Sequence, residues 1–239
     1  MKITKLLAVT LLPSALATAL YAAVGCLWQG LPSITLFFLV MTLTLFPFEV
    51  GVILRANKWE RGNYGLQIAF AEQEKLAWWK VLLYALGLFL LTGLLSAVLT
   101  PLESALTAGP AGWLRSLIPA YFDWTDYALV RQYPKGVVVF TCVFYLVMDA
   151  FVCPAIEELY FRGYLTARME RLGVGATILV TVVFSLYHWW LPFNNLFRTC
   201  AFGAAAAVAW RKKNIYISMA FHTLCNLLTT VSFMAAVLK

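Results

Sequence analysis

Apolar residues fill this chain in long, almost unbroken runs, at 6–27, 34–54, 81–99, 137–152, 174–191, 196–210 and 215–238. A helix that crosses a bilayer needs roughly 20 such residues. The pattern therefore predicts an all-α protein, a polytopic transmembrane bundle of about seven or eight helices. A more polar stretch, 154–172, is expected to form a further helix. Two segments are long and mixed. Residues 55–80 carry charges with Trp59, Trp78 and Trp79, and residues 100–135 carry Pro, Gly, Trp and Tyr. Both are expected at the membrane interface, where aromatics sit at headgroup depth. No internal repeat is visible, which counts against a transporter or proton relay built from inverted halves.

Composition sharpens this picture. Of 239 residues, 62% are hydrophobic and 12% charged, more apolar surface than a soluble domain of this size can cover. The chain reads as one integral membrane domain, with N-terminal helices and interfacial segments over 1–135 and a core over 136–239. The net charge of +7 is scattered between apolar runs, which suits membrane lipids and not nucleic acid. With the N-terminus inside, thirteen Lys and Arg fall in inner segments and five in outer ones, so that orientation is expected. The short, bare architecture suggests a bacterial cytoplasmic membrane. Residues 1–17 resemble a signal peptide, but the apolar run continues to Leu27, which predicts an uncleaved first helix. Cys26, Cys142, Cys153, Cys200 and Cys225 have no paired spacing and read as small packing residues.

The chemistry lies in what interrupts the apolar runs. Glu157 and Glu158 are adjacent in an apolar region, and charged groups there are costly to insert. Glu158 and Arg162, four apart, share a helix face and can pair, leaving Glu157 as a candidate base. The bland alternative is a helix start, where two glutamates after Pro154 favour the N-terminal dipole. The chain has two histidines, His188 and His222. Glu157 lies 16 residues before Gly173 and His188 lies 15 after it, each roughly 23 Å from a turn there if both arms are helical. An antiparallel hairpin then faces one residue with the other. Residues 154–172 must in that case belong to a span, and Pro154 is expected to kink or break one long helix. His222 and Asn226 share a face of the last helix. They can hold water, polarise a carbonyl or stabilise an oxyanion, or simply join helices through a hydrogen bond. Asp149 is expected to face the same cavity or to pair with Arg198, Glu49 to snorkel or pair with Arg55, Asn194 and Asn195 to form a turn, and Gly203 with Ala204–Ala207 to pack closely. Trp189 and Trp190 fit an interfacial belt or a substrate groove.

Glu-Glu-x-x-x-Arg at 157–162, Phe-x-x-x-His at 184–188 and His-x-x-x-Asn at 222–226, in this order, resemble the CPBP family. These are intramembrane proteases related to the CAAX prenyl endopeptidase, and the family includes bacterial proteins linked to bacteriocin processing and immunity. The resemblance covers roughly residues 151–228. It implies a CAAX-type intramembrane endopeptidase, a hydrolase acting on a membrane-associated protein or peptide. It also implies that Glu157 activates water with His188, that Glu158 and Arg162 brace the site, and that His222 and Asn226 bind the scissile carbonyl. Family members are described as metalloproteases and as glutamate-type proteases. Glu157, His188 and His222 allow a His₂Glu zinc site, and they equally allow chemistry without metal. The competing expectation is a non-catalytic immunity or scaffold protein of the same family that binds a partner through this cavity.

Overall fold

The computed structural model describes residues 1–71, 73–108, 112–191 and 195–239, apart from the side chains at 107, 114 and 115. Asn194, expected in a turn, lies outside these residues. The architecture is all-helical, with no strand among the described residues. Eight helices carry it: α1 (Ile3–Leu27), α2 (Ser33–Leu43), α3 (Leu45–Arg61), α4 (Trp78–Ala108), α5 (Lys135–Arg168), α6 (Val174–Leu186), α7 (Asn195–Arg211) and α8 (Tyr216–Val237).

Among the described residues five stretches are long and apolar enough to cross a membrane: α1, α2 with α3, α4, α5 and α8. The expected spans near 174–191 and 196–210 fall short of this. At 1.5 Å per residue α6 is roughly 20 Å long and α7 roughly 26 Å, against a hydrocarbon core of about 30 Å. The two interfacial segments are also shorter than expected. α3 continues to Arg61, where Gly62 stops it in a left-handed conformation at φ +80. α4 begins at Trp78 and continues through Pro101 to Ala108.

Proline positions explain several local features. Pro47 cannot donate to the Leu43 carbonyl, and its ring crowds it, so α2 ends at Leu43 and α3 begins after Thr44. Pro13 leaves the Val9 carbonyl of α1 without its helical donor, and the Tyr160 hydroxyl of α5 supplies one at 2.8 Å. The buried residues of α1 (Leu6, Thr10, Ser14, Ala17, Tyr21 and Gly25) recur every three or four positions and form one stripe. A buried Thr35–Thr141 hydroxyl pair at 2.7 Å joins α2 to α5.

The two ends of the bundle differ in kind. At one, Arg168 pairs with Glu60, the Met1 ammonium donates to the Arg168 carbonyl, and Glu74 pairs with Lys213. A cavity of about 440 Å³ there is lined by Arg162, Glu170, Arg211 and Lys213 among others. At the other end, aromatic side chains of 120–133 cover the α1–α2 connection. Tyr121 and Tyr133 donate to the Leu31 and Gln29 carbonyls, and Trp124 to the Tyr21 hydroxyl.

Candidate active site

α5 supplies the first half of the site. It runs unbroken from Lys135 to Arg168, passing Pro154 without stopping. What changes is the backbone ladder. Residues Met148–Val152 and Glu158–Leu165 are π-helical, and between them Cys153–Glu157 is α-helical. The Cys153 N–H reaches back five residues to the Met148 carbonyl, and Thr166 N–H likewise to Phe161. A π turn accommodates the proline that an α ladder would reject, and such turns recur at functional positions. Glu157 is the last residue of the α stretch and Glu158 the first of the π stretch. At Gly163 the 67–70 turn packs so closely that a Cβ would press on the Ala69 carbonyl, which fixes this segment of α5 against the connection after α3.

The adjacent glutamates have different surroundings. Both are essentially unexposed, at 1% and 0%. Glu158 places Oε2 3.4 Å from Arg162 Nε and Oε1 3.1 Å from His222 Nδ1. The Arg162 guanidinium also lies over the Phe184 ring, 4.3 Å from its centroid, a cation–π contact that helps keep the charge inside. Glu157 turns away from this pair. Its Oε2 has no hydrogen-bond partner among the described residues and stands 3.8 Å from His222 Nε2. That separation is too long for a direct hydrogen bond and short enough for one water to reach both atoms.

His222 thus has two distinct nitrogens, one held by Glu158 and one facing Glu157, while its ring is wedged edge-on against Phe202 at 4.6 Å. His188 arrives differently from the expectation. α6 ends at Leu186, so His188 lies beyond the helix and not on a helical arm. Its Nδ1 is 2.7 Å from the Phe184 carbonyl. A carbonyl has no proton to give, so Nδ1–H is the donor and Nε2 retains its lone pair.

Glu157, His188, His222, Asn226, Asp149, Cys153 and Arg198 line one cavity of about 350 Å³. Asn226 is placed with its amide nitrogen toward α5, donating to the Asp149 carbonyl at 2.8 Å and more weakly to Asp149 Oδ1 at 3.4 Å. The expected oxyanion-binding amide is therefore engaged with a neighbouring helix. Asp149 does not pair with Arg198; its second oxygen accepts from Thr230 at 3.0 Å. Arg198 instead donates to the Ser185 and Leu191 carbonyls and to Asn195 Oδ1, bracing the chain on both sides of His188. Asn195 opens α7, whose Leu196 and Phe197 N–H groups are capped by Glu103 of α4. Gly203 faces α6, with Thr181 the nearest side chain, while Ala204 and Ala205 join a cluster with Ala85 and Leu88 of α4 and Ile217 and Phe221 of α8.

Glu49 corrects another expectation. It neither snorkels nor meets Arg55. It is fully buried, and Tyr187 donates to its Oε1 at 2.8 Å. The sequence held one usable signal, a carboxylate in the middle of an apolar run, but its partner is 138 residues away. Among the described residues no group of three His, Cys, Asp or Glu side chains is placed to hold a metal ion. Glu157, His188 and His222 share the cavity without converging on one coordination centre.

No curated protein and no solved structure matches the chain. The family model described as type II CAAX prenyl endopeptidase Rce1-like matches residues 139–228. That segment runs from α5 to α8 and contains every residue of the three motifs. Over this site-bearing segment the chain is similar to the type II CAAX prenyl endopeptidase Rce1-like family.

Proposed function

We propose that the protein is an intramembrane endopeptidase that hydrolyses peptide bonds of a membrane-associated protein or peptide. One observation carries this reading. Of two adjacent buried glutamates, Glu158 has Arg162 Nε at 3.4 Å and His222 Nδ1 at 3.1 Å, while Glu157 lines the cavity and stands 3.8 Å from His222 Nε2. An unpartnered buried acceptor is expensive; Glu49 Oε2, Glu157 Oε2 and Glu158 Oε2 all lack a hydrogen bond among the described residues, and of the three glutamates only Glu157 lines the cavity shared by His188 and His222.

In this mechanism Glu157 takes a proton from a water held by its Oε2 and by the Nε2 lone pair of His188. The water oxygen attacks the scissile carbonyl carbon, and the carbonyl oxygen becomes the oxyanion. His222, held at Nδ1 by Glu158, points its Nε2 edge at that oxyanion. Collapse of the tetrahedral intermediate breaks the C–N bond, and Glu157 passes its proton to the leaving amine. Every step uses this chain's own groups, and none is routed through a metal. The basic end, with Arg168, Arg171, Arg211 and Lys213, faces the cytoplasm in this reading.

The test is cleavage of a library of membrane-anchored peptides by the purified protein in liposomes, with Glu157→Gln and His188→Ala as comparisons, each with and without a zinc chelator. Cleavage by wild type alone, insensitive to the chelator, is the expected result. Cleavage abolished by the chelator and restored by zinc would replace the metal-free mechanism. Equal cleavage by wild type and Glu157→Gln would overturn the assignment of the base.

A further inference from the structure

The family match begins at residue 139, yet the N-terminal half delivers one fully buried carboxylate to the surroundings of the site. Glu49 is 0% exposed in α3. A buried acid inside a membrane span is costly and calls for a partner or a task. Its one hydrogen bond comes from the Tyr187 hydroxyl at 2.8 Å, and its other oxygen has no partner among the described residues.

Tyr187 occupies an unusual place. It is 1% exposed, it is the first residue after α6 ends, and the next residue is His188. Its ring packs edge-on against Phe161 of α5 at 5.0 Å and against His188 at 5.2 Å. His188 is further held between Phe184 at 4.8 Å and Trp190 at 4.9 Å. The imidazole therefore has no regular helix fixing its backbone. Beside the Phe184 carbonyl at Nδ1 and the Arg198 brace, its aim depends on how Tyr187 is seated, and the polar end of Tyr187 is seated by Glu49.

We infer that Glu49 is a positioning residue, which aims His188 into the cavity by anchoring the Tyr187 hydroxyl. The N-terminal helices are on this account part of the site's scaffold, and not only its lipid-facing wall. The inference rests on the proposed role of His188, but its first test does not require activity. The chain has two histidines, so ring-proton NMR of the histidine-labelled full chain in micelles gives one signal for each, assigned with His188→Gln.

Tyr187→Phe and Glu49→Leu should each shift the His188 signal and leave His222 in place. Glu49→Gln, which keeps a carbonyl oxygen for the Tyr187 hydroxyl, should leave both signals at their wild-type positions. The Glu49→Leu/Tyr187→Phe double variant should shift His188 no further than either single variant. Should Glu49→Leu fail to fold, Tyr187→Phe decides, since it removes one oxygen and keeps every ring contact. An unmoved His188 signal in folded Tyr187→Phe overturns the inference, as does an equal shift of both histidines. In a cleavage assay the same variant should lose about tenfold to a hundredfold in kcat with KM unchanged. Cleavage with an unmoved His188 signal would sink the positioning role and spare the protease reading. A shifted signal in a chain that cleaves nothing would do the reverse.

Discussion

α4 and α5 are almost equally apolar by sequence, and they do opposite things. In its most apolar stretch α4 has 17% of its residues buried, and in α5 the share is 33%. α4 presents Leu83, Leu90, Leu94 and Val98 outward. α5 carries Asp149, Glu157, Glu158 and Arg162 inward, with a π turn on either side of Cys153–Glu157. Hydropathy finds both helices and separates neither. The difference lies in a few polar side chains and in the backbone irregularity that seats them. A membrane protein holds charge at depth only where protein surrounds it.

The comparison breaks most sharply at Glu157. Glu157→Gln should reduce turnover by about 10²–10⁴-fold while leaving thermal stability near wild type, because the oxygen it alters has no hydrogen bond to lose. Arg162→Leu should do damage of another sort. It strips Glu158 of its counter-charge and should cost about 3–5 kcal/mol of stability, read as a lowered unfolding temperature in detergent. Thr230→Val leaves Asp149 short of one hydrogen bond and should cost about 1–3 kcal/mol, in the same assay. Leu94→Ala on α4 should stay within about 0.5 kcal/mol, with cleavage unchanged. A large loss there would show that α4 faces protein in the assembled membrane form, and the contrast with α5 would narrow.

The all-helical bundle was legible in the apolar runs, although only five of the seven give stretches long enough to cross among the described residues, and each of the three motifs contributes side chains to one cavity. Two helical arms meeting at Gly173 would set His188 opposite Glu157. The structure stops α6 at Leu186 and still turns His188 inward, since the Phe184 carbonyl and the Tyr187 ring hold it. Other features lay beyond local reasoning. The sequence offers Arg198 as a partner for Asp149, whose partners Asn226 and Thr230 lie one turn apart on α8. Spacing offers Glu49 the nearby Arg55, six residues away, whereas its partner Tyr187 comes from 138 residues along the chain. Sequence spacing reports neighbours within a helix well. Contacts across helices depend on rotations and tilts that an apolar run does not encode. The π turns are likewise silent in the sequence, apart from Pro154.

The central claim is that Glu157 is a base held ready while Glu158 is spent on structure. It is tested most directly by measuring peptide cleavage and thermal unfolding together for Glu157→Gln and Glu158→Gln. The account predicts that Glu157→Gln loses cleavage and keeps its unfolding temperature, whereas Glu158→Gln loses stability as well. Cleavage retained by Glu157→Gln, or an equal loss of stability in both variants, would contradict it.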